Sequence, residues 1–198
     1  GNKPEFKYSF GYQNWYESAK HETINTRKNV GLFELTPFAK FELEGESVHS
    51  SLQYLCANNI KDIPGSITYT QMLNTKGGIE TDLSVTCISK NKFRIVTGSG
   101  VREHDKKHIL SYIDDNIKFN DITDNYSCFG IFGPKSRLLL SEIVGNEFEN
   151  EKFLFGTGKY LKINNIDIWF QRLSYVGELG WELYIPIKES EKIYEIIC

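Results

Sequence analysis

The segment Asn74-Thr75-Lys76-Gly77-Gly78 constrains this chain more than any other stretch. Paired glycines supply the positive φ that a tight reversal needs, and β-forming runs lie on both sides: Thr68-Tyr69-Thr70-Gln71-Met72-Leu73 before, and an alternating stretch from Ile79 to Ile88 after. This predicts a long β-hairpin, which is antiparallel by construction. In its second strand Ile79, Thr81, Leu83, Val85 and Cys87 share one face, while Glu80, Asp82, Ser84 and Thr86 share the other. A carboxylate so placed is by default a solvated surface group, so pattern alone assigns Asp82 no chemistry.

The rest of the chain supplies partners for that hairpin. Lys92 to Thr97 is a third strand, and Phe38 to Leu43, Ile117 to Thr123 and Cys128 to Phe132 read as further strands. Helical spacing occurs over Asn14 to Asn29, around Val48, Leu52, Leu55 and Cys56, and over Val101 to Ile113. Pro134 opens another helix that runs through Val144, and Ser190 to Cys198 is again helical in pattern. Ile163 to Leu173 and Trp181 to Ile187 form a second hairpin around Gly177-Glu178-Leu179-Gly180. Helices interleave with hairpin-connected strands and no βαβ unit repeats, so the fold class is α+β, antiparallel sheets with flanking helices. In the last strand Trp181, Leu183 and Ile185 oppose Glu182 and Tyr184, which by default means only that Glu182 is solvated.

Composition narrows the function classes. A chain of 198 residues, 40% of them apolar, can bury roughly 70% of its unfolded surface. Its 23 basic and 26 acidic residues are spread along the sequence, which argues against a nucleic-acid-binding face. Cys56, Cys87, Cys128 and Cys198 form no C-x-x-C pair, and three lie within apolar runs, as expected of reduced thiols in the cytoplasm or, in a eukaryote, the mitochondrial matrix. No apolar run is long enough to span a bilayer, and Gly1-Asn2-Lys3-Pro4 lacks the features of a leader. The uncapped helical pattern at Cys198 and the glycine at position 1 suggest that both ends are artificial and that the chain is a fragment.

Two local motifs are weak. Gly98-Ser99-Gly100 lies between a strand and a helix, but Glu103 stands where a dinucleotide fingerprint needs glycine, so it reads as an ordinary turn. His104 and His108 have the spacing of a zinc pair, yet Asp105 replaces the glutamate of the protease motif and no third ligand is evident; a solvated helix face is the expectation. Tyr69 and Tyr175 read by default as packing residues with wet hydroxyls.

A wider resemblance changes these defaults. Tyr69-Thr70-Gln71-Met72-Leu73-Asn74, continuing through Gly77-Gly78-Ile79-Glu80-Thr81-Asp82-Leu83-Ser84-Val85, resembles the "Y-T-Q-x-L-N-x-x-G-G-I-x-x-D-L-x-V" block of folate-dependent aminomethyltransferase domains. Val30-Gly31-Leu32-Phe33-Glu34-Leu35, Cys56-Ala57-Asn58-Asn59, Gly130-Ile131-Phe132-Gly133-Pro134 and Tyr175-Val176-Gly177-Glu178-Leu179-Gly180-Trp181-Glu182 resemble further blocks in the same order, so the likeness spans Asn14 to Glu182. Glycine-cleavage T-proteins usually carry two adjacent aspartates in the hairpin strand and Y-T-G-E-D-G later. Thr81-Asp82, the Y-V-G-E-L-G-W-E form and Phe10-Gly11-Tyr12-Gln13-Asn14-Trp15 look more like the C-terminal portion of dimethylglycine and sarcosine dehydrogenases.

The resemblance implies that Asp82 faces the reacting nitrogens of tetrahydrofolate and acts catalytically, that Glu182 binds the pterin ring, and that Tyr69 and Tyr175 line the pocket. It implies a T-protein-like fold truncated at its C-terminus, with lobes at 35–120 and at 1–34 plus 121–198. An FAD-binding half would precede the chain in the same polypeptide, and a barrel with a further arginine would follow. FAD oxidises an N-methyl amine to its iminium there, and folate captures the carbon as 5,10-methylenetetrahydrofolate. Two other classes stay open: a stand-alone aminomethyltransferase or related demethylase, and a folate-binding regulatory protein without transfer activity. Partners are thus folate and an N-methyl amine or its iminium, with neither nucleic acid nor membrane, and no metal.

Overall fold

A computed structural model describes residues 5–198; positions 1–4, on which the expectation about a leader and an artificial start falls, lie outside the described residues. Among the described residues, ten strands form two five-stranded antiparallel sheets. The first comprises β2 (Ala39–Glu44), β3 (Ile67–Leu73), β4 (Ile79–Ser89), β5 (Lys92–Thr97) and β6 (Lys118–Asp121), in spatial order β3-β4-β5-β2-β6. The second comprises β1 (Gly31–Glu34), β7 (Tyr126–Phe132), β8 (Gly158–Ile163), β9 (Ile166–Gln171) and β10 (Gly180–Pro186), in order β1-β7-β10-β9-β8. Helices α1 (Tyr16–Lys28), α2 (Val48–Leu55), α3 (Arg102–Leu110), α4 (Ser136–Val144) and α5 (Ser190–Ile197) connect and flank them. This is the expected α+β class.

The glycine turn behaves as its residues require. Gly77 adopts φ +77°, a region that side-chain-bearing residues rarely enter, and Asn74 Oδ1 accepts hydrogen bonds from the backbone N–H groups of Lys76 and Gly78. The reversal sets the β3–β4 register, in which Gln71 stands opposite Asp82 and Tyr69 opposite Ser84.

Strand alternation sorts the side chains into layers. Leu83, Val85 and Cys87 of β4 join Phe41, Leu43, Phe93 and Ile95 in one core, closed by Val48, Leu52 and Leu55 of α2 and by Ile109 of α3. Ile131, Ile168, Phe170, Trp181, Leu183 and Ile185 form a second core beneath Leu140 of α4 and Ile193 of α5. Each fully buried large side chain stabilises the fold by about 1.5–3 kcal/mol relative to leaving it in water. The remaining faces of the two sheets meet in a third cluster: Cys128, Trp169 and Tyr184 of the second sheet touch Ile88 and Val96 of the first. The layers therefore run helices, sheet, sheet, helices.

Three details differ from the sequence expectation. Ile163 to Leu173 is not one strand: Asn164 and Asn165 turn at φ 46° and 65°, and β8 and β9 pair as a hairpin of their own. Two consecutive positive φ values are what a two-residue hairpin turn demands, and asparagine tolerates them better than most residues. The β9–β10 pair predicted around Gly177 to Gly180 is present as well. The helix predicted over Val101 to Ile113 is confined to Arg102–Leu110, entered by a short 3-10 turn at Ser99–Val101. The helix predicted over Asn14 to Asn29 is α1, Tyr16–Lys28, and it buries only Thr26.

Candidate functional site

β4 carries Asp82 on the same face as Ser84 and Thr86, two and four residues on, as alternation requires. Tyr69 Oη donates to Asp82 Oδ2 at 2.8 Å, a diagonal contact across the β3–β4 pair. That hydrogen bond, with some desolvation, pushes the Tyr69 phenol above its usual pKa, and the nearby Tyr175 phenol adds to the effect. Tyr69 (59%) and Tyr175 (84%) are both strongly exposed, and Asp82 is exposed too. Three of the four sequence-predicted residues thus gather at one accessible end of the first sheet.

The residues beside Asp82 are held from the opposite side of the sheet. Asp105 of α3 is fully buried and accepts from Thr81 Oγ1 at 2.9 Å and Thr97 Oγ1 at 2.6 Å, while its second oxygen meets His104 Nδ1 at 2.9 Å. His104 Nε2 lies 3.2 Å from Glu80, which also accepts from Asn74 Nδ2 at 2.9 Å. The Asp105 hydrogen bond and, beyond it, the Glu80 charge raise the His104 pKa. His104 therefore ties α3 to the hairpin instead of simply lying in water. Its ring stacks in parallel with that of His108 at 6.4 Å, and no cluster of three or more potential metal ligands occurs among the described residues.

Glu182 belongs to a second group. β10 places it beside Gln171 of β9, on the face that packs against the first sheet. Gln171 Nε2 (2.8 Å) and Tyr184 Oη (3.0 Å) both donate to Glu182 Oε2, and Trp169 Nε1 donates to Gln171 Oε1 at 3.2 Å. Burial raises the Glu182 pKa, and these two hydrogen bonds only partly oppose the shift. Period two correctly separates Glu182 from Trp181, Leu183 and Ile185. The default of a solvated carboxylate fails because the second face of this strand is covered by another sheet.

Arg94 of β5 connects the two groups' surroundings. It is fully buried, donates to Glu42 Oε1 through Nε (3.2 Å) and Nη2 (2.7 Å), and lies over the rings of Tyr126, Trp169 and Tyr184 at 5.3–5.8 Å. The faces bearing Asp82 and Glu182 are consequently the two that confront each other. Sequence reasoning missed Arg94, Glu42, Gln171 and Tyr184. A faint signal existed in the polar Gln171 that ends an otherwise apolar strand and in the shared face of Glu182 and Tyr184.

The loop from Arg172 to Leu179 carries Tyr175 and separates two hollows. One, of 230 Å³, is bounded by α1, Phe33, Val176 and Glu178; the other, of 390 Å³, lies between the loop itself and Phe155.

Residues 3–198 match the family described as the GCVT N-terminal domain. The chain belongs to that family. It is 32% identical over 204 residues to mitochondrial dimethylglycine dehydrogenase of Rattus norvegicus, covering 100% of the chain and 23% of the relative. It is 30% identical over 207 residues to mitochondrial sarcosine dehydrogenase of Homo sapiens, covering 96% and 22%. An aminomethyltransferase of Natranaerobius thermophilus is 27% identical over 177 residues, covering 89% and 48%. The GCVT-family chain thus spans less than a quarter of the dehydrogenases it resembles. Among solved structures, the glycine cleavage system aminomethyltransferase T from Bartonella henselae superposes with a TM-score of 0.80 at 20% identity, over 98% of this chain and 53% of that one. The fold is therefore that of the T-protein, and the chain is an aminomethyltransferase-like domain related to the dimethylglycine and sarcosine dehydrogenases.

Proposed function

We propose that this domain binds tetrahydrofolate within an enzyme that oxidises an N-methyl amine such as dimethylglycine or sarcosine. The single observation that carries the reading is the placement of two carboxylates, Asp82 under the Tyr69 hydroxyl and Glu182 in its own hydrogen-bonded group, on the two sheet faces that confront each other. The residues fit the ligand's chemistry. Both hydrogen bonds that Glu182 receives fall on Oε2, so Oε1 keeps its capacity to accept from the ring N–H and exocyclic amine of a pterin. Tyr69 and Tyr175 offer flat apolar area with polar tips, suited to a heterocycle with polar edges.

Tetrahydrofolate supplies the nitrogen nucleophiles that take up the one-carbon unit as 5,10-methylenetetrahydrofolate. In this reading Asp82 stabilises the developing cationic carbon and accepts the proton lost from nitrogen, while the Tyr69 hydroxyl holds that carboxylate in place. Glu182 orients the ring through a rigid shell of Gln171, Tyr184 and Trp169. An FAD-binding half on the same polypeptide would deliver the iminium, in keeping with the dehydrogenase relatives.

Calorimetric titration with tetrahydrofolate tests the proposal. The intact chain is expected to bind, and Glu182→Ala to bind at least tenfold more weakly, the loss of about one charge-assisted hydrogen bond. Equal affinity in the two proteins would remove Glu182 from the site.

A further inference from the structure

The hollow between Phe155 and the Arg172–Leu179 loop is lined by Ser174, whose buried hydroxyl has no hydrogen-bond partner among the described residues. Six buried side-chain atoms lack partners among the described residues; besides Ser174 Oγ they include Arg137 Nε and Trp181 Nε1, neither of which lines the hollow but both of which adjoin Arg172 through the Trp181 ring. Two are N–H groups and the third is a hydroxyl, so all can donate. A cluster of orphaned donors calls for an acceptor, because each buried polar group left unpaired costs about 1–3 kcal/mol.

The charge points the same way. Arg172 lines the hollow, and its guanidinium lies 5.5 Å from the Trp181 ring centroid, with that of Arg137 at 6.0 Å from the same ring. The ion pairs among the described residues involve neither arginine. Arg172 donates through Nη1 to the Phe153 carbonyl at 2.7 Å, and Arg137 through Nη2 to Asn150 Oδ1 at 2.6 Å. Burial, and then repulsion from Arg137, lower the Arg172 pKa, so the pair sits in a field that an anion would relieve. The acidic side chain at the rim, Glu178, is already neutralised by Arg27 at 2.7 Å.

We propose that this hollow is a carboxylate-binding subsite, with Arg172 and Ser174 as its ligands and Phe155 packing against the apolar body of the bound molecule. A carboxylate suits it better than a phosphate: one guanidinium lines the hollow, and Phe155, Leu173 and Leu179 give it an apolar wall beside Ser174 and the Arg27-paired Glu178. The subsite does not depend on the pterin reading of Glu182. Alternation along the strand sends Gln171 toward Glu182 and Arg172 toward Trp181, on the other side of the sheet.

Two sources present that chemistry, the glutamyl end of a folate and the carboxylate of an N-methylated amino acid. The test is calorimetric titration of the full 198-residue chain with p-aminobenzoylglutamate, N,N-dimethylglycine and inorganic phosphate, in the unmodified protein and in Arg172→Gln, Arg172→Lys and Ser174→Ala. The expected result is millimolar or tighter binding of one of the carboxylates, weakened at least tenfold in Arg172→Gln and severalfold in Ser174→Ala, with partial recovery in Arg172→Lys. The carboxylate that binds identifies the source. Should Arg172→Gln fail to fold, the Ser174→Ala series decides on its own. Binding of phosphate alone, no binding of any probe at millimolar concentration, or unchanged affinity in the variants that fold overturns the proposal. Because none of the three probes contains a pterin, their failure leaves the tetrahydrofolate titration with Glu182→Ala to be judged separately.

Discussion

The Tyr69 hydroxyl reaches Asp82 across the β3–β4 pair at 2.8 Å, two residues along the strand from the residue it directly opposes, Ser84. The diagonal is available because tyrosine is long enough to span it, and it leaves the exposed end of the strand with a carboxylate fixed in one orientation.

Replacing Asp82 by asparagine keeps the size of the side chain and its contact with Tyr69 but removes the charge. Asp82→Asn is expected to melt within about 1 kcal/mol of the unmodified protein, since Asp82 is exposed. In the full-length enzyme, methylene transfer to tetrahydrofolate should fall about 10²-fold or more. Tyr69→Phe should show a smaller loss, about tenfold, because it frees the carboxylate without discharging it. Unimpaired transfer in Asp82→Asn would assign the hydrogen bond to strand pairing alone.

Glu182 gives a pH dependence whose sign is fixed by burial. Its folded-state pKa is raised, so between the ordinary carboxylate value and that raised value the native state holds more protons than the unfolded one. Stability must therefore fall as pH rises through this window, and be fully restored below it. Glu182→Gln, which cannot ionise and can still accept from Gln171 and Tyr184, is expected to flatten that fall. Urea denaturation at pH values from 4 upward, roughly half a unit apart, checks this; parallel curves for the two proteins would contradict it.

How much of this was legible in the sequence depended on how local the cause was. The glycine turn, the two-residue period of β4 and the helical spacing of α2 are set by neighbours along the chain, and they were read correctly from Gly77, Asp82 and Leu52. The Asn164-Asn165 turn was legible in principle, since two adjacent asparagines can both take positive φ and the apolar alternation breaks between Ile163 and Ile166. The environment of Glu182 was not legible. Whether the second face of a strand meets water or another sheet is decided by Ile88 and Val96, roughly ninety residues away in the chain, and no periodicity within β10 encodes it. The family resemblance gave prominence to Glu182 and Asp82, but nothing in either strand indicated Arg94.

Asp105 is the least conspicuous of the supporting residues and among the most connected. Asp105→Ala would remove the carboxylate shared by Thr81 Oγ1, Thr97 Oγ1 and His104 Nδ1, leaving the two buried threonine hydroxyls only each other, at 3.2 Å, and the Asp82 carbonyl, at 3.4 Å from Thr81. A loss of about 3 kcal/mol is expected, measured by chemical denaturation. Hydrogen exchange should accelerate most in β4, because Thr81 immediately precedes Asp82; exchange that rises uniformly over the chain would show that Asp105 stabilises the fold without positioning the hairpin.

Arg94 and Glu42 separate an ion pair's energetic role from its role in choosing one packing. Burial opposes the Glu42 charge, yet hydrogen bonds from Lys92 and Arg94 outweigh it and hold the carboxyl below its usual range. Glu42→Ala strands the Arg94 guanidinium among Tyr126, Trp169 and Tyr184, and a cost of about 3–5 kcal/mol follows. Arg94→Met, which fills similar volume without charge, leaves Glu42 with Lys92 at 2.7 Å and should cost less. The double variant Glu42→Leu, Arg94→Met then reads the pair itself. Stability equal to the unmodified protein, with altered near-ultraviolet circular dichroism from the inter-sheet aromatic cluster, would mean that the charges fix how the two sheets dock and add little net energy. A loss larger than that of either single change would instead place the pair among the net stabilising interactions of the fold.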